Sequence, residues 1–166
     1  IIQLLSDTLI CEGNTLQTKA SVSEGLAPYT YKWSENASMS ETLNLTPITS
    51  KNYQLTVTDK NNCSDTAEIM ITVVSNPIVQ LISPPEICKN DSALIQSTVN
   101  GNAIPFSFLW NQQQTSSQIT VHPLVTTIYS VTVTDQNLCV GIDSVQLTVN
   151  TLPIADVGNS RAVCEN

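Results

Sequence analysis

Residues 53–63 read YQLTVTDKNNC, and residues 129–139 read YSVTVTDQNLC, 76 positions further along the chain. Apolar and polar side chains alternate in both stretches, so that Tyr53, Leu55 and Val57 share one face. This alternation predicts a β-strand with one buried face. The Asp that follows favours a tight turn, because Asp and Asn bond to their own backbone and tolerate left-handed conformations. Each copy therefore predicts a strand, a turn and a cysteine.

The rest of the chain repeats with nearly the same spacing. The first copy contains Cys11 and the aromatic segment PYTYKW at residues 28–33, while the second contains Cys88 and PFSFLW at residues 105–110. Cys164 stands where a third copy would have its first cysteine. The sequence therefore predicts three repeats, of which the last is truncated: residues 1–76, 77–152 and 153–166. Since the chain lacks an initiator Met and stops within a repeat, we expect it to be a fragment of a longer protein.

Each complete repeat has six or seven short segments of alternating hydrophobicity, separated by turn residues. No segment carries an apolar stripe of helical period. This pattern predicts an all-β fold of tandem β-sandwiches. Because an odd number of strands puts the two termini at opposite poles, and the linkers are short, we expect a head-to-tail rod.

Charge, hydropathy and cysteine content limit the classes of function that the chain can have. The chain has 166 residues, a formal net charge of −8 and only six Lys and Arg residues, which argues against nucleic-acid binding. No apolar run is long enough to insert into a membrane. The dispersed acidity would keep an extracellular protein soluble. Five cysteines without a CxxC motif or Cys/His cluster indicate disulfides and an oxidising compartment.

Several motifs together resemble a known family. They are CEG at residues 11–13, PYTYKWS at 28–34, YQLTVTD at 53–59 and NC at 62–63, with their second-copy partners. They resemble the immunoglobulin-like repeats, related to polycystic kidney disease-type (PKD-like) domains and to gliding-motility adhesins, of large Bacteroidetes surface proteins. Two positions depart from the pattern, since Asn90 replaces a glycine and Leu138 stands where Gly or Asn is usual. The resemblance implies immunoglobulin-like sandwiches in a surface or secreted protein exported by the type IX system, serving as adhesin, stalk or spacer.

The cysteine pairing has three alternatives at this stage. The simplest is a bond within each repeat, Cys11–Cys63 and Cys88–Cys139, with the partner of Cys164 outside the fragment. A full seven-strand immunoglobulin topology would put the two cysteines of a repeat at opposite poles and favour a bond between repeats, such as Cys11–Cys139. Both cysteines would share a pole if the strand expected after residue 110 were vestigial. Free thiols are the third alternative.

The resemblance also implies O-glycosylation at Asp-Ser/Thr-apolar motifs. The chain contains four such motifs, and their acceptor hydroxyls belong to Thr8, Thr66, Ser92 and Ser144. Two motifs lie near the first cysteine of a repeat and two near the second. Chance matches in a chain with 38 Ser and Thr residues are the competing explanation.

The aromatic side chains could either pack in the core or form an exposed platform that binds sugars. Trp33 and Trp110 occupy the same place in a period-2 strand, which favours the core over a sugar-stacking platform. Tyr53 and Tyr129 are expected in the core for the same reason.

Acidic side chains at the turns are candidate calcium ligands. The candidates, Asp59, Asp65, Asp135 and Asp143, carry the hard oxygen ligands that Ca²⁺ prefers, but no dense DxDxDG run accompanies them. We therefore expect no cofactor and no catalytic or metal site. His122 is the only histidine, so neither a His-based metal site nor a Ser/His/Asp triad is indicated.

The predicted function is that of a non-enzymatic repeat region in a large secreted cell-surface adhesin or filament. Its partners would be neighbouring immunoglobulin-like repeats of the same chain and surface polysaccharide or other cells. The alternative is a non-catalytic accessory region, spacer or carbohydrate-binding, of a secreted enzyme.

Overall fold

A computed structural model describes residues 1–35 and 38–153, and these residues form β-strands and no helix. The strands of residues 1–76 are β1 (Ile2–Gln3), β2 (Thr8–Cys11), β3 (Leu16–Lys19), β4 (Ser21–Val22), β5 (Thr30–Trp33), β6 (Thr42–Leu45), β7 (Lys51–Thr58) and β8 (Ser64–Val74). Those of residues 77–152 are β9 (Ile78–Ile82), β10 (Glu86–Cys88), β11 (Ala93–Asn100), β12 (Ser107–Trp110), β13 (Gln118–Val121), β14 (Thr127–Thr134) and β15 (Val140–Asn150). Almost all of the predicted third repeat lies outside the described residues.

The first eight strands have the connectivity of an immunoglobulin-like sandwich. One sheet has the order β2-β8-β7-β5, while β3 pairs with β6 and β1 pairs with β4. Strand β2 runs parallel to β8, so that Cys11 lies opposite Val74. The sheets β10-β15-β14-β12 and β13-β11-β9 repeat this arrangement in the second copy. The all-β immunoglobulin-like prediction is therefore confirmed.

Alternating side chains build the core of the first repeat, as the period-2 pattern predicts. Trp33 from β5, Leu55 from β7 and Ile71 from β8 are each at most 1% exposed. They pack with buried residues of the other sheet, including Leu43 and Leu45 of β6. Burial of these apolar faces on both sheets is what holds the two layers together.

Strand β8 begins at Ser64, before the run of alternating apolar side chains that starts at Ala67. Its first residues are all polar and exposed, so they lack the alternation of apolar and polar side chains that marks a strand in the sequence. They nevertheless pair with the end of β7, where Ser64 lies opposite Thr58 and Asp65 opposite Val57. The backbone ladder therefore continues to the loop that carries Cys63.

The chain divides into two compact units. The first comprises Ile1–Ile78, Asn100–Phe106 and Thr134–Gly141, and the second comprises Val79–Val99, Ser107–Val133 and Ile142–Asn166. Two loops of residues 77–152 thus belong to the first unit. The repeat boundaries themselves remain a prediction from the sequence.

One buried polar group distinguishes the two cores. Thr18 in β3 is 0% exposed, and its Oγ1 has no hydrogen-bond partner. It pairs with Leu43, just as Ile95 pairs with Ile119 in the second repeat. The first repeat therefore holds an unsatisfied hydroxyl where the second holds a hydrocarbon side chain.

We expect Thr18→Val to raise the free energy of unfolding by about 1–2 kcal/mol, because it removes the desolvation penalty of the hydroxyl without changing the side-chain volume much. Urea unfolding monitored by tryptophan fluorescence measures the change. Thr120→Val, in the exposed half of β13, is the matched control and should change stability by less than about 0.5 kcal/mol. An unchanged or lowered stability of the Thr18 variant would contradict the assignment.

Candidate functional site: the cysteine-bearing loops

The one disulfide among the described residues joins Cys11 to Cys139. Their Cα atoms are 5.5 Å apart, and the bond encloses a sequence separation of 128 residues. Cys63 and Cys88 are exposed free thiols, and Cys164 lies outside the described residues. The pairing within each repeat, Cys11–Cys63 and Cys88–Cys139, is therefore wrong, and the alternative pairing between repeats is the one that the structure contains.

Strand length explains why a bond within one repeat cannot form. Cys11 lies level with Val74, the last residue of β8, whereas Cys63 precedes the first residue of the same strand. Eleven residues of strand at about 3.3 Å per residue separate the two levels by roughly 36 Å. A disulfide needs Cα atoms within about 7 Å.

The second repeat has the same geometry, since Cys88 pairs with Asn150 at the end of β15. Among the described residues no strand lies between β12 and β13, so the strand expected after residue 110 is indeed missing. Its absence does not bring the cysteines to one pole, because the parallel pairing of β2 with β8 fixes where Cys11 lies.

The loops that carry Cys63 and Cys139 are held by an aspartate side chain. Oδ1 of Asp59 accepts hydrogen bonds from the backbone N–H groups of Asn61 and Cys63, at 2.8 and 2.9 Å. Oδ1 of Asp135 accepts the corresponding bonds from Asn137 and Cys139, both at 2.8 Å. The aspartates that the sequence marked as turn residues therefore set the position of the cysteine backbone.

A neighbouring loop is tied to this aspartate turn in the first repeat. Oδ2 of Asp59 accepts a hydrogen bond of 3.2 Å from the amide of Leu26, and the amide of Lys60 donates to the carbonyl of Leu26 at 2.9 Å. In the second repeat the amide of Gln136 donates likewise to the carbonyl of Ala103 at 3.1 Å. The sequence offered no signal for this interaction, because it joins residues more than thirty positions apart.

The two positions that depart from the family pattern keep the loop geometry. Leu138 has φ 65°, close to the 63° of its counterpart Asn62, and Asn90 has φ 78°, close to the 83° of Gly13. Left-handed backbone is unfavourable for leucine. The Asp135 hydrogen bonds on both sides of Leu138 therefore hold a conformation that the residue itself disfavours.

The two bonded cysteines are buried, whereas the two free cysteines are exposed. Cys139 is 0% exposed and Cys11 is 7% exposed, whereas Cys63 and Cys88 are exposed. A pocket of about 160 Å³ lies beside Cys63 and is lined by apolar and acidic residues. Its lining includes Ile1, Tyr29, Asp59 and Asp65.

The tryptophans lie in the cores. Trp33 and Trp110 are each 1% exposed, and each indole N–H donates to a backbone carbonyl, of Ser40 at 3.0 Å and of Ser116 at 2.8 Å. A sugar-stacking platform needs an accessible ring face, which neither indole offers. Tyr53 and Tyr129 are also buried, at 6% and 2% exposed.

The four predicted O-glycan acceptors differ in exposure. Thr66, Ser92 and Ser144 are exposed, whereas Thr8 is half-buried in β2 and its Oγ1 donates to the carbonyl of Ser6 at 2.8 Å. Their modification remains a prediction.

The four turn aspartates have backbone partners. Beyond the turns of Asp59 and Asp135, Asp65 accepts from the amide of Thr66 at 2.9 Å, and Asp143 accepts from the amide of Leu81 at 2.7 Å. Across residues 1–35 and 38–153, no three His, Cys, Asp or Glu side chains are grouped in a way that could hold a metal ion. In the same part of the chain, no helix is long and apolar enough to cross a membrane.

Comparison with known proteins gives structural likeness only. No protein-family model and no curated protein matches the chain. Among solved structures, the insect immune protein hemolin is 13% identical with a TM-score of 0.44, and the match covers 90% of this chain and 46% of hemolin. Murine CEACAM1b is 15% identical with a TM-score of 0.38, covering 89% of this chain and 100% of that one. The Ig1-2 module of the Drosophila receptor protein tyrosine phosphatase DLAR is 10% identical with a TM-score of 0.33, covering 90% and 98%. The chain thus spans about half the length of hemolin.

The hydrogen bonds to Asp59 make the Cys63 loop sensitive to pH. The backbone amide of Cys63, followed by that of Leu26, lowers the pKa of Asp59 below its usual value of 3.8. Because the pKa is lowered on folding, the stabilisation is fully present above that value and is lost as the pH falls through the lowered pKa.

We expect Asp59→Asn to lower the stability of the first repeat at neutral pH and to have a smaller effect at about pH 2.5, because below pH 3.8 the wild-type protein loses part of the stabilisation that comes from its charged carboxylate. Urea unfolding at both pH values measures the difference. Glu24→Gln, on an adjacent exposed loop, is the control and should have little effect at either pH. An Asp59→Asn effect that is equal at both pH values would contradict the role of the charged carboxylate.

Proposed function

We propose that this chain is a mechanical element of an extracellular protein, in which consecutive immunoglobulin-like repeats are covalently tied. The observation that carries the proposal is the Cys11–Cys139 disulfide, which connects the first cysteine of one repeat to the second cysteine of the next. Such a bond supports residence in an oxidising compartment. The role is structural and non-enzymatic.

The position of the bond changes how tension passes through the chain. When the two termini are pulled, force passes along residues 1–11, crosses the disulfide and continues from Cys139. Strands β3 to β14 lie between the bonded cysteines, so they are outside the path of the load. They include the strands that carry Trp33, Tyr53, Trp110 and Tyr129.

Such protection suits a stalk or spacer that holds a binding region away from a surface. The sequence resemblance to Bacteroidetes adhesin repeats supports a surface-exposed or filamentous protein of that kind, with O-glycans at Thr66, Ser92 and Ser144. Surface polysaccharide or other cells would then be partners of the whole protein. The buried tryptophans disfavour the carbohydrate-binding form of the accessory alternative.

We expect single-molecule pulling through handles at residues 1 and 166 to give a shorter final extension for the oxidised chain than for the reduced one. The bond hides the segment between residues separated by 128 positions, which corresponds to roughly 420–460 Å of extended chain. The measurement is the contour length with and without a reductant.

The control is Cys139→Ser, which should give the long extension under both conditions. A Cys11–Cys63 bond would produce less than half of the expected difference. Equal extensions of the oxidised and reduced wild-type chain would refute the proposed load path.

A further inference from the structure

The outer face of strands β12, β14 and β15 carries apolar side chains that are exposed. Leu109 of β12 is 53% exposed, Ile128 of β14 is 60% exposed and Ile142 of β15 is 67% exposed. We propose that this face is a contact surface for a second copy of this chain, so that two copies pack face to face. The inference goes beyond the proposed function, because it does not depend on the Cys11–Cys139 bond.

Burial along each strand identifies the residues of this face. Leu109 precedes the buried Trp110, and Thr132 lies between the buried Val131 and Val133. In β15 the exposed positions 142, 144 and 146 alternate with more buried ones. We call this surface the β12-β14-β15 face. Its outward side chains include those of Leu109, Ile128, Ser130, Thr132, Ile142 and Ser144.

The three strands have the same register as their counterparts in the first repeat. The amide of Asn111 donates to the carbonyl of Ser130 at 3.0 Å, just as the amide of Ser34 donates to the carbonyl of Gln54 at 2.9 Å. Strands β14 and β15 follow each other through the Asp135 turn and are neighbours in the sheet, with β14 in the middle of the three. The register of the first repeat can therefore be carried over to the second.

This register puts the apolar side chains in one row. In the first repeat Lys32 lies opposite Thr56, and Thr56 lies opposite Thr66. The corresponding row of the second repeat consists of Leu109, Thr132 and Ile142. The row thus has an apolar side chain at each edge of the face and a threonine in the middle.

The equivalent face of the first repeat is polar. Lys32 stands at the position of Leu109, and in the next row Nε2 of Gln54 donates to Oε1 of Glu68 at 2.8 Å. The fold therefore does not need apolar side chains at these outward positions. An exposed apolar row that the sandwich does not require indicates a surface for interaction with another molecule.

The distribution of charge favours a second copy as that molecule. Residues 1–76 contain eight acidic residues and four lysines, whereas residues 77–152 contain four acidic residues and one lysine. None of these charges stands at an outward position of residues 107–110, 127–133 or 142–147, because the nearest, Asp143, accepts from the amide of Leu81 on the inner side. Two copies with a net charge of −8 repel each other least where both surfaces are uncharged.

A two-fold axis along β14 would make the row self-complementary. It would put Leu109 of one copy over Ile142 of the other, and Ile142 over Leu109, while Thr132 would meet its own counterpart. The two sheets would then pack about 10 Å apart, as sheets do when they bury apolar faces against each other.

The size of the face sets the strength of a single contact. Three strands about 4.8 Å apart, each with four outward positions about 6.7 Å apart, give an area of roughly 400 Å² per copy. A stable complex buries about 800 Å² per partner. One contact is therefore weak, and it becomes effective when many copies lie aligned on one surface.

Modification of Ser144 would close this surface. Ser144 is exposed and lies two residues from Ile142 on the same side of β15. A glycan on its hydroxyl would hold a second copy away from the row. The association consequently belongs to chains in which Ser144 is unmodified.

Sedimentation equilibrium tests the association on the full chain, produced without glycosylation and with its free thiols alkylated. The weight-average mass should rise above the monomer value as the concentration approaches about 1 mM. It should rise further in about 0.5 M salt, because screening weakens the repulsion between copies. A chain that stays monomeric at this concentration, or that associates only at low salt, would overturn the proposal.

Two charged variants locate the contact. Leu109→Lys and Ile142→Glu should each weaken association at least about tenfold, because each puts an unpaired charge into the surface to be buried. Thr66→Glu introduces the same charge at the equivalent position of the first repeat, and this matched control should change the affinity less than about twofold. Equal losses in all three variants would show that the β12-β14-β15 face takes no special part.

A mixture of the two variants tests the two-fold geometry and guards against misfolding. Between unlike copies the introduced lysine would face the introduced glutamate, while the other half of the contact would keep Ile142 over Leu109. The equimolar mixture should therefore associate at least about fivefold more tightly than either variant alone. A mixture that associates no better than its components would refute the proposed packing.

Discussion

Because β2 runs parallel to β8, Cys11 lies at the end of β8 that is farthest from Cys63. The ladder of an eleven-residue strand cannot bend by the roughly 30 Å that a bond within the repeat would need. A cysteine at each pole must therefore find its partner in another repeat or remain free. The bonded pair and the exposed pair are both consequences of this one register.

The second requirement is that the cysteine loops be ordered. Four positions in these loops have positive φ, and three of them, Asn62, Asn90 and Leu138, lack the glycine that such backbone favours. At Leu138 the cost is met by the Asp135 carboxylate, which binds the amides of Asn137 and Cys139. The aspartate is consequently the residue that allows the loop sequence to vary while the sulfur stays in place.

The sequence predicted the fold well because period-2 burial is a local property. Alternation alone placed Trp33 and Tyr53 on inward faces, and the repeat supplied the equivalences that the second copy shows. The sequence pattern could not decide which cysteines are bonded, because their positions depend on which edge of the sheet β2 joins and on the direction in which β2 runs. The unsatisfied hydroxyl of Thr18 was also hidden, since threonine in a strand is ordinary until its burial is known.

The long enclosed segment gives the disulfide a second effect besides carrying tension. A repeat of about 75 residues is near the size at which a single core supplies only a few kcal/mol of stability. In the chain-entropy model, closing a loop of 128 residues destabilises the unfolded state by about 5 kcal/mol. Because the loop contains strands β3 to β14, this entropic gain acts on both repeats, so that neither core has to provide the whole stability of its own sandwich.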